Sequence, residues 1–177
     1  TELVNILDSP VTLTLMGLGC VPNTNKNFLG MLGMHGTYEA NLAMHNCDVM
    51  LNVGARFDDR VTGRLNAFAP NSKKVHIDVD KSSINKVVPV DYGIVGDCKE
   101  VLSALLQEVK KLHNQKIMKS KTKWWSQINE WKNKDSLGFK QLGNNIKPQS
   151  AIKSLYEKTK NFDTYITTEV GQHQMWA

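Results

Sequence analysis

Residues 33–63, GMHGTYEANLAMHNCDVMLNVGARFDDRVTG, set a glycine-rich turn, a short helix, a buried-type strand and a charged loop in direct succession. An α/β domain builds the edge that receives a ligand in that order. Met34-His35-Gly36 reads as a turn whose small residues let a ligand approach the backbone. Thr37 caps a helix expected over 38–46, with Glu39 in its first turn and Tyr38, Leu42 and Met44 or His45 toward the apolar face. The apolar run 49–53, ended by Gly54, predicts a parallel strand covered on both faces. Its carboxyl end points at Gly54-Ala55-Arg56, and Arg56, Asp58, Asp59 and Arg60 crowd the positions that follow. Two readings of this charged loop stand side by side. Exposed ion pairs are common and weak, which describes a solvated, self-paired loop; placement after a buried strand describes a ligand loop.

Composition narrows the class. At 177 residues the chain has room for one full domain and part of another, and with 41% apolar and 22% charged residues it reads as globular and soluble. Twenty-two basic and 17 acidic residues leave a net charge of +5. The lysines are scattered over 110–160 and no arginine follows Arg64, so no nucleic-acid partner is expected. Cys20, Cys47 and Cys98 are odd in number, far apart and without C-x-x-C spacing. They are expected to be reduced core thiols of a cytoplasmic protein, with neither disulfides nor a metal. No apolar run reaches membrane-spanning length, so no membrane association is expected. The chain opens on Thr1 with what resembles the second half of an amphipathic helix and stops at Met175-Trp176-Ala177, which reads as a piece of a longer polypeptide.

Along the chain, a strand is expected over 11–15, leading to Gly17-Leu18-Gly19, then a long loop over 20–33. A strand over 74–79 alternates, with Val75, Ile77 and Val79 on one face and His76 on the other, and Asp78 and Asp80 lie at its carboxyl end. A short strand over 92–95 ends in Gly96-Asp97, and a helix follows over 98–111 with Val101, Leu105, Leu106 and Val109 at helical spacing. This alternation predicts an α/β fold with a doubly wound parallel sheet, placed at 1–112. Residues 113–145 read as a linker with a Trp-rich helix, since Trp124, Ile128 and Trp131 make an aromatic stripe for packing. A second α/β unit over 146–177 opens with Pro148 in the first turn of a helix whose apolar face is Ile152, Leu155 and Tyr156. A strand is then expected over 165–168, with Gly171, Gln172 and His173 just past it as the start of a second ligand site or, for His173, a structural histidine.

No G-x-G-x-x-G and no P-loop occurs, and no zinc or serine-hydrolase motif is present. Asp58 and Asp59 are adjacent, so their side chains diverge and make no acid/base dyad. What remains is a set of strand-end residues, His35, Arg56, Asp78, Asp80 and Asp97, suited to the phosphates and ribose of a dinucleotide.

LMGLG at 15–19, FLGMLGMHG at 28–36, GARFDDRVTG at 54–63, HID at 76–78 and GQHQMWA at 171–177 closely resemble the catalytic large subunits of the acetolactate (acetohydroxyacid) synthase family. The resemblance runs in order over nearly the whole chain and weakens in the linker. It implies a thiamine diphosphate enzyme that decarboxylates pyruvate and joins the two-carbon unit to a second 2-oxo acid, pyruvate or 2-oxobutanoate, in branched-chain amino acid synthesis. The Rossmann-like central domain of that family binds FAD, without a redox part in the reaction. Carried over residue by residue, FAD would meet His35, Gly36, Thr37, Gly54, Ala55, Arg56, Asp78, Val79, Gly96 and Asp97. Met34, Asp59 and Arg60 would line the substrate channel, and Gly171, Gln172 and His173 would begin the thiamine diphosphate site.

The family's activating glutamate and its magnesium-binding Gly-Asp-Gly pattern fall outside this sequence. The resemblance therefore implies no catalytic residue and no metal ligand within these 177 residues, and no turnover by them alone. It also implies a homodimer or higher oligomer and a regulatory small subunit as a partner. The alternatives at this stage are another thiamine diphosphate carboligase, such as glyoxylate carboligase, and a non-catalytic nucleotide-binding module.

Overall fold

A computed structural model describes residues 1–114 and 120–177. The part of the expected linker at 115–119 lies outside the described residues. Two compact units are present, Thr1–Ser136 and Leu137–Ala177.

The first unit is α/β with parallel strands throughout, as expected. Helix α1 (Glu2–Leu7) leads to strand β1 (Val11–Leu13), which pairs with β2 (Phe28–Met31). Helix α2 (Tyr38–Asn46) leads to β3 (Val49–Val53), then the short helix α3 (Asp59–Thr62), β4 (Lys73–Asp78), β5 (Tyr92–Val95) and helix α4 (Cys98–Asn114). Strands β3, β4 and β5 form one sheet in chain order, and β1 with β2 forms another.

Several local expectations need correcting. The loop expected over 20–33 contains β2, hidden in sequence because Gly30 sits within it at φ +94° and breaks the alternation. The strand expected over 11–15 stops at Leu13, where Thr14 turns the chain by accepting the Gly17 N–H at 3.2 Å. Strand β4 ends at Asp78, so Val79 lies beyond it and is 72% exposed, whereas His76, Ile77 and Asp78 are all buried. β3 and β5 pair both edges of β4, and its faces are covered by packing from outside the sheet, with Phe57 against His76 and α4 against the strand. On α2 the buried residues are Ala40 and Ala43 rather than Tyr38 or His45. Small side chains let the helix lie close against its neighbours, while Tyr38 is exposed. Cys20 is exposed and Cys47 and Cys98 are half-buried, so the thiols are free without being core residues.

Two apolar clusters hold this unit together. Leu29, Ala40 and Ala43 enclose Ile128 of helix α5 (Thr122–Lys132), with Trp124, Trp125 and Trp131 packed around them. Trp124 and Trp131 meet edge to face with centroids 5.6 Å apart. The indole N–H of Trp125 donates to the Asp8 carbonyl at 3.1 Å, and Lys121 Nζ donates to the Leu7 carbonyl at 2.6 Å. Two carbonyls at the end of α1, which have no partner within a helix, are thereby satisfied. Phe57, Phe68, Ala69 and Val88 form the second cluster beneath the charged loop.

The second unit consists of helix α6 (Pro148–Thr159), with Pro in its first turn as expected, and the short helix α7 (Gln172–Trp176). Residues 165–168 form no strand, contrary to expectation; Tyr165 is 89% exposed. Their β-branched composition favours extension, but a strand persists only where a neighbour accepts its ladder bonds, and no strand lies among the described residues of this unit.

Candidate functional site

The site is built where three parallel strands end. Gly54, Val79 and Gly96 each follow the last residue of β3, β4 and β5, and the strands are tied at that end by Gly54 N–H to Ile77 O at 2.8 Å and Gly96 N–H to Asp78 O at 3.0 Å. Loops therefore leave one edge of one sheet, the position where open α/β sheets take ligands. Gly54 is exposed with φ +65°; a Cβ there would meet only the Cys98 sulfur, at 3.4 Å. The backbone at this point is open to close approach. Burial, then Asp97 and Asp78 nearby, raise the Cys98 thiol above its ordinary value and keep it protonated.

The carboxylates at this edge differ in freedom. Asp97 caps α4, its Oδ1 accepting from the N–H groups of Lys99 at 2.8 Å and Glu100 at 3.2 Å. Asp78 is turned inward: Oδ1 accepts the Asp80 N–H at 2.9 Å, and Oδ2 lies 3.6 Å from His76 Nε2. Asp80 is held in a tight turn by the Ser82 hydroxyl and N–H, which keep its carboxyl below the usual range. His76 is fully buried, edge-on to Phe57 at 5.0 Å, and neither ring nitrogen has a hydrogen-bond partner among the described residues.

The charged loop splits by side chain. Phe57 has φ 55° and is buried, which anchors the loop and throws its flanking residues outward. Asp58 caps α3 by accepting the Arg60 N–H at 3.1 Å, a bond that leads the causes lowering its carboxyl pKa. Arg56 is exposed, 3.8 Å from Asp58, and Arg60 is 4.0 Å from Asp59. Pairs this long and this exposed contribute little to stability and leave the guanidinium groups available.

The turn at 33–37 meets α3 directly. The Met34 N–H donates to the Arg60 carbonyl at 2.8 Å, and a Cβ on Gly33 would lie 2.4 Å from the same oxygen. Met34, Asp59 and Arg60 are thereby brought together from positions far apart in sequence. Gly36 is equally constrained, since a Cβ there would lie 2.4 Å from the Met31 carbonyl. Thr37 accepts from the Ala40 N–H and donates to the Leu29 carbonyl at 2.6 Å, so its hydroxyl is spent on the fold. The amides of Gly33, Met34, Gly36 and Thr37 all bond within the protein; that of His35 has no partner among the described residues. His35 and Met34 are exposed. In the second unit Gln172 and His173 lie in the first turn of α7 and are exposed, with the His173 ring folded over Gly171.

Three contributors are not apparent from the motifs: Asn41, which bonds Gly33; Phe57, which anchors the charged loop; and Cys98, which borders Gly54. Asn41 carries a faint signal, because Asn is a poor residue for the body of a nine-residue helix.

Parallel strands ending in glycine-bearing loops, beside a turn whose His35 amide has no partner among the described residues, have the layout of a Rossmann-like α/β domain. A family model described as the thiamine pyrophosphate enzyme, central domain, matches residues 1–105, and the chain belongs to that family. The acetolactate synthase large subunit of Haemophilus influenzae is 50% identical over 174 residues, 97% of this chain and 30% of that protein. Acetolactate synthase isozyme 3 large subunit of Escherichia coli is 46% identical over 176 residues, 99% of this chain and 30% of that protein. The large subunit of Cyanidium caldarium is 40% identical over 176 residues. The chain thus spans about 30% of the length of these relatives. Among the described residues, no helix is long and apolar enough to cross a membrane.

Proposed function

We propose that this chain is the flavin-holding part of an acetolactate synthase large subunit, together with the first residues of its thiamine diphosphate site. The observation that carries the reading is the convergence of Gly54, Val79 and Gly96 at one sheet edge in a chain 50% identical over 174 residues to the large subunit of Haemophilus influenzae. FAD suits this edge: Gly54 leaves the backbone bare, the His35 N–H is free to donate, and the exposed Arg56 supplies charge for a diphosphate. Gly36 and Thr37 shape the turn, Ala55 and Val79 offer backbone, and Asp97 has one carboxylate oxygen left for a ribose hydroxyl. Asp78 acts from beneath, orienting Asp80 and the strand end.

Met34, Asp59 and Arg60 form the wall past which a 2-oxo acid travels, Arg60 drawing its carboxylate. In the second unit Gly171, Gln172 and His173 open the thiamine diphosphate site, a bare amide and two polar side chains at its diphosphate end. When bound, thiamine diphosphate supplies the carbon centre that takes the two-carbon unit from pyruvate for transfer to pyruvate or 2-oxobutanoate. Magnesium ligands, the activating carboxylate, the second protomer and the small subunit would come from outside these residues.

Replacing the matched segment of the Escherichia coli isozyme 3 large subunit with this chain tests the reading. The chimaera should form acetolactate from pyruvate with FAD, thiamine diphosphate and magnesium, and Arg56→Ala in it should weaken FAD binding about tenfold, roughly 1.4 kcal/mol. A folded chimaera that binds no FAD would sink the flavin assignment, and one that condenses glyoxylate in place of pyruvate would favour the other carboligase.

A further inference from the structure

Asn41 takes no part in the reading above, yet its side chain meets one peptide from both sides. Its Oδ1 accepts from the Gly33 N–H at 2.8 Å, and its Nδ2 donates to the Gly33 carbonyl at 2.9 Å. Only one orientation of the amide satisfies both bonds, which fixes the side chain. The Gly33 carbonyl accepts a second bond, from the Gly36 N–H at 3.0 Å, which closes the turn. On its opposite side Gly33 rests on α3, with space for no Cβ against the Arg60 carbonyl and Val61. Met34 then bonds the same Arg60 carbonyl at 2.8 Å. The turn is thus pressed between a side chain of α2 and the backbone of α3.

We propose that Asn41 is a positioning residue that couples the two halves of the site: by gripping the Gly33 peptide, it sets His35 for the flavin and Met34 with Arg60 for the substrate channel. Neither α2 nor α3 alone fixes the turn. An apolar residue of similar size would fill the space and release both bonds, whereas aspartate would keep the acceptor and set an anionic oxygen against the Gly33 carbonyl. The functional half of this inference rests on the assignment of His35 and Arg60 to the site.

Residue-resolved hydrogen exchange on the whole chain, with Asn41→Leu and Asn41→Asp, reads the grip itself. In Asn41→Leu the Gly33 and Met34 amides should exchange at least tenfold faster, while amides of β3 and β4 keep their protection. In Asn41→Asp the Gly33 amide should stay protected and Met34 should not, a pattern that general loss of packing does not produce. In the chimaera described above, Asn41→Leu should weaken FAD binding about tenfold and raise KM for pyruvate more than it lowers kcat. Unchanged Gly33 and Met34 exchange in both variants overturns the proposal. So does faster exchange with unaltered FAD affinity and KM where Arg56→Ala still weakens FAD binding. If Arg56→Ala leaves FAD affinity untouched as well, the site assignment itself has failed, and the coupling falls with it.

Discussion

Residues 49–53 and 165–168 are both short runs rich in β-forming residues, each expected as a strand ending at a ligand loop, yet only the first is one. Val49–Val53 is laid residue by residue against Lys73–Asp78, with Val49 opposite Lys73 and Val53 opposite Ile77. Residues 165–168 have no such neighbour in their unit. Strand propensity is chiefly a fitness for a pleated, half-buried surface, and without that surface the same composition stays irregular. The same contrast separates the two proposed sites: at 54–56 the loop leaves a fixed edge, whereas Gly171 precedes a short helix on which Gln172 and His173 are exposed.

The contrast between the units is open to direct attack. The largest difference is expected between two glycines with positive φ, Gly33 at +94° and Gly143 at +70°. Gly33→Ala adds a backbone overlap at Arg60 to the conformational penalty and should cost more than about 3 kcal/mol in denaturant unfolding; Gly143→Ala meets nothing within 4 Å and should cost about 1 kcal/mol. Equal costs would show that the Gly33 turn is not clamped. Next, Ile128→Ala empties a fully buried position among three tryptophans and should cost about 3 kcal/mol, whereas Ile152→Ala, at a half-buried position on the largely exposed α6, should cost about 1 kcal/mol.

A smaller effect separates the thiols. With a disulfide reagent near pH 8, Cys20 should react first, Cys98 more slowly and Cys47 last, since burial raises the Cys47 thiol and covers it. Fast labelling of Cys47 would mean that the packing of α2 on its sheet is looser than described. The smallest effect belongs to the charged loop. The Asp58 carboxyl is lowered in the folded state, so its contribution is present above the ordinary carboxylate value and fades as pH falls through the folded one. Asp58→Asn should therefore leave unfolding near pH 7 almost unaltered in shape and flatten the pH dependence only below the ordinary carboxylate range. A change confined to neutral pH would contradict the cap assignment.

Much of the first unit was legible because its signals are local. Thr37 announces the start of α2 by its hydroxyl, and the observed bounds of α2, β3 and β5 coincide with those expected. Where reading failed, the deciding interaction was distant. Gly30 hides β2 until β1 is there to pair it, and Val79 alternates with Val75 and Ile77 on paper but lies past the last ladder bond. The strand-end residues could be named from sequence, but their freedom could not. Arg56 and the His35 amide are available, whereas Asp78, Thr37 and part of Asp97 are occupied by neighbours.

By itself the sequence determined α2 with its Thr37 cap, the strands β3 and β5, the parallel α/β class and the family, because propensity, capping and word order are properties of neighbouring residues. Only the tertiary structure decided that the turn at 33–37 lies against α3, that Asn41 grips it from α2, and that Ile128 closes the core under the tryptophans. Those outcomes depend on which buried donors and acceptors find one another across long stretches of chain, and pairing of that kind is settled when the packed elements meet.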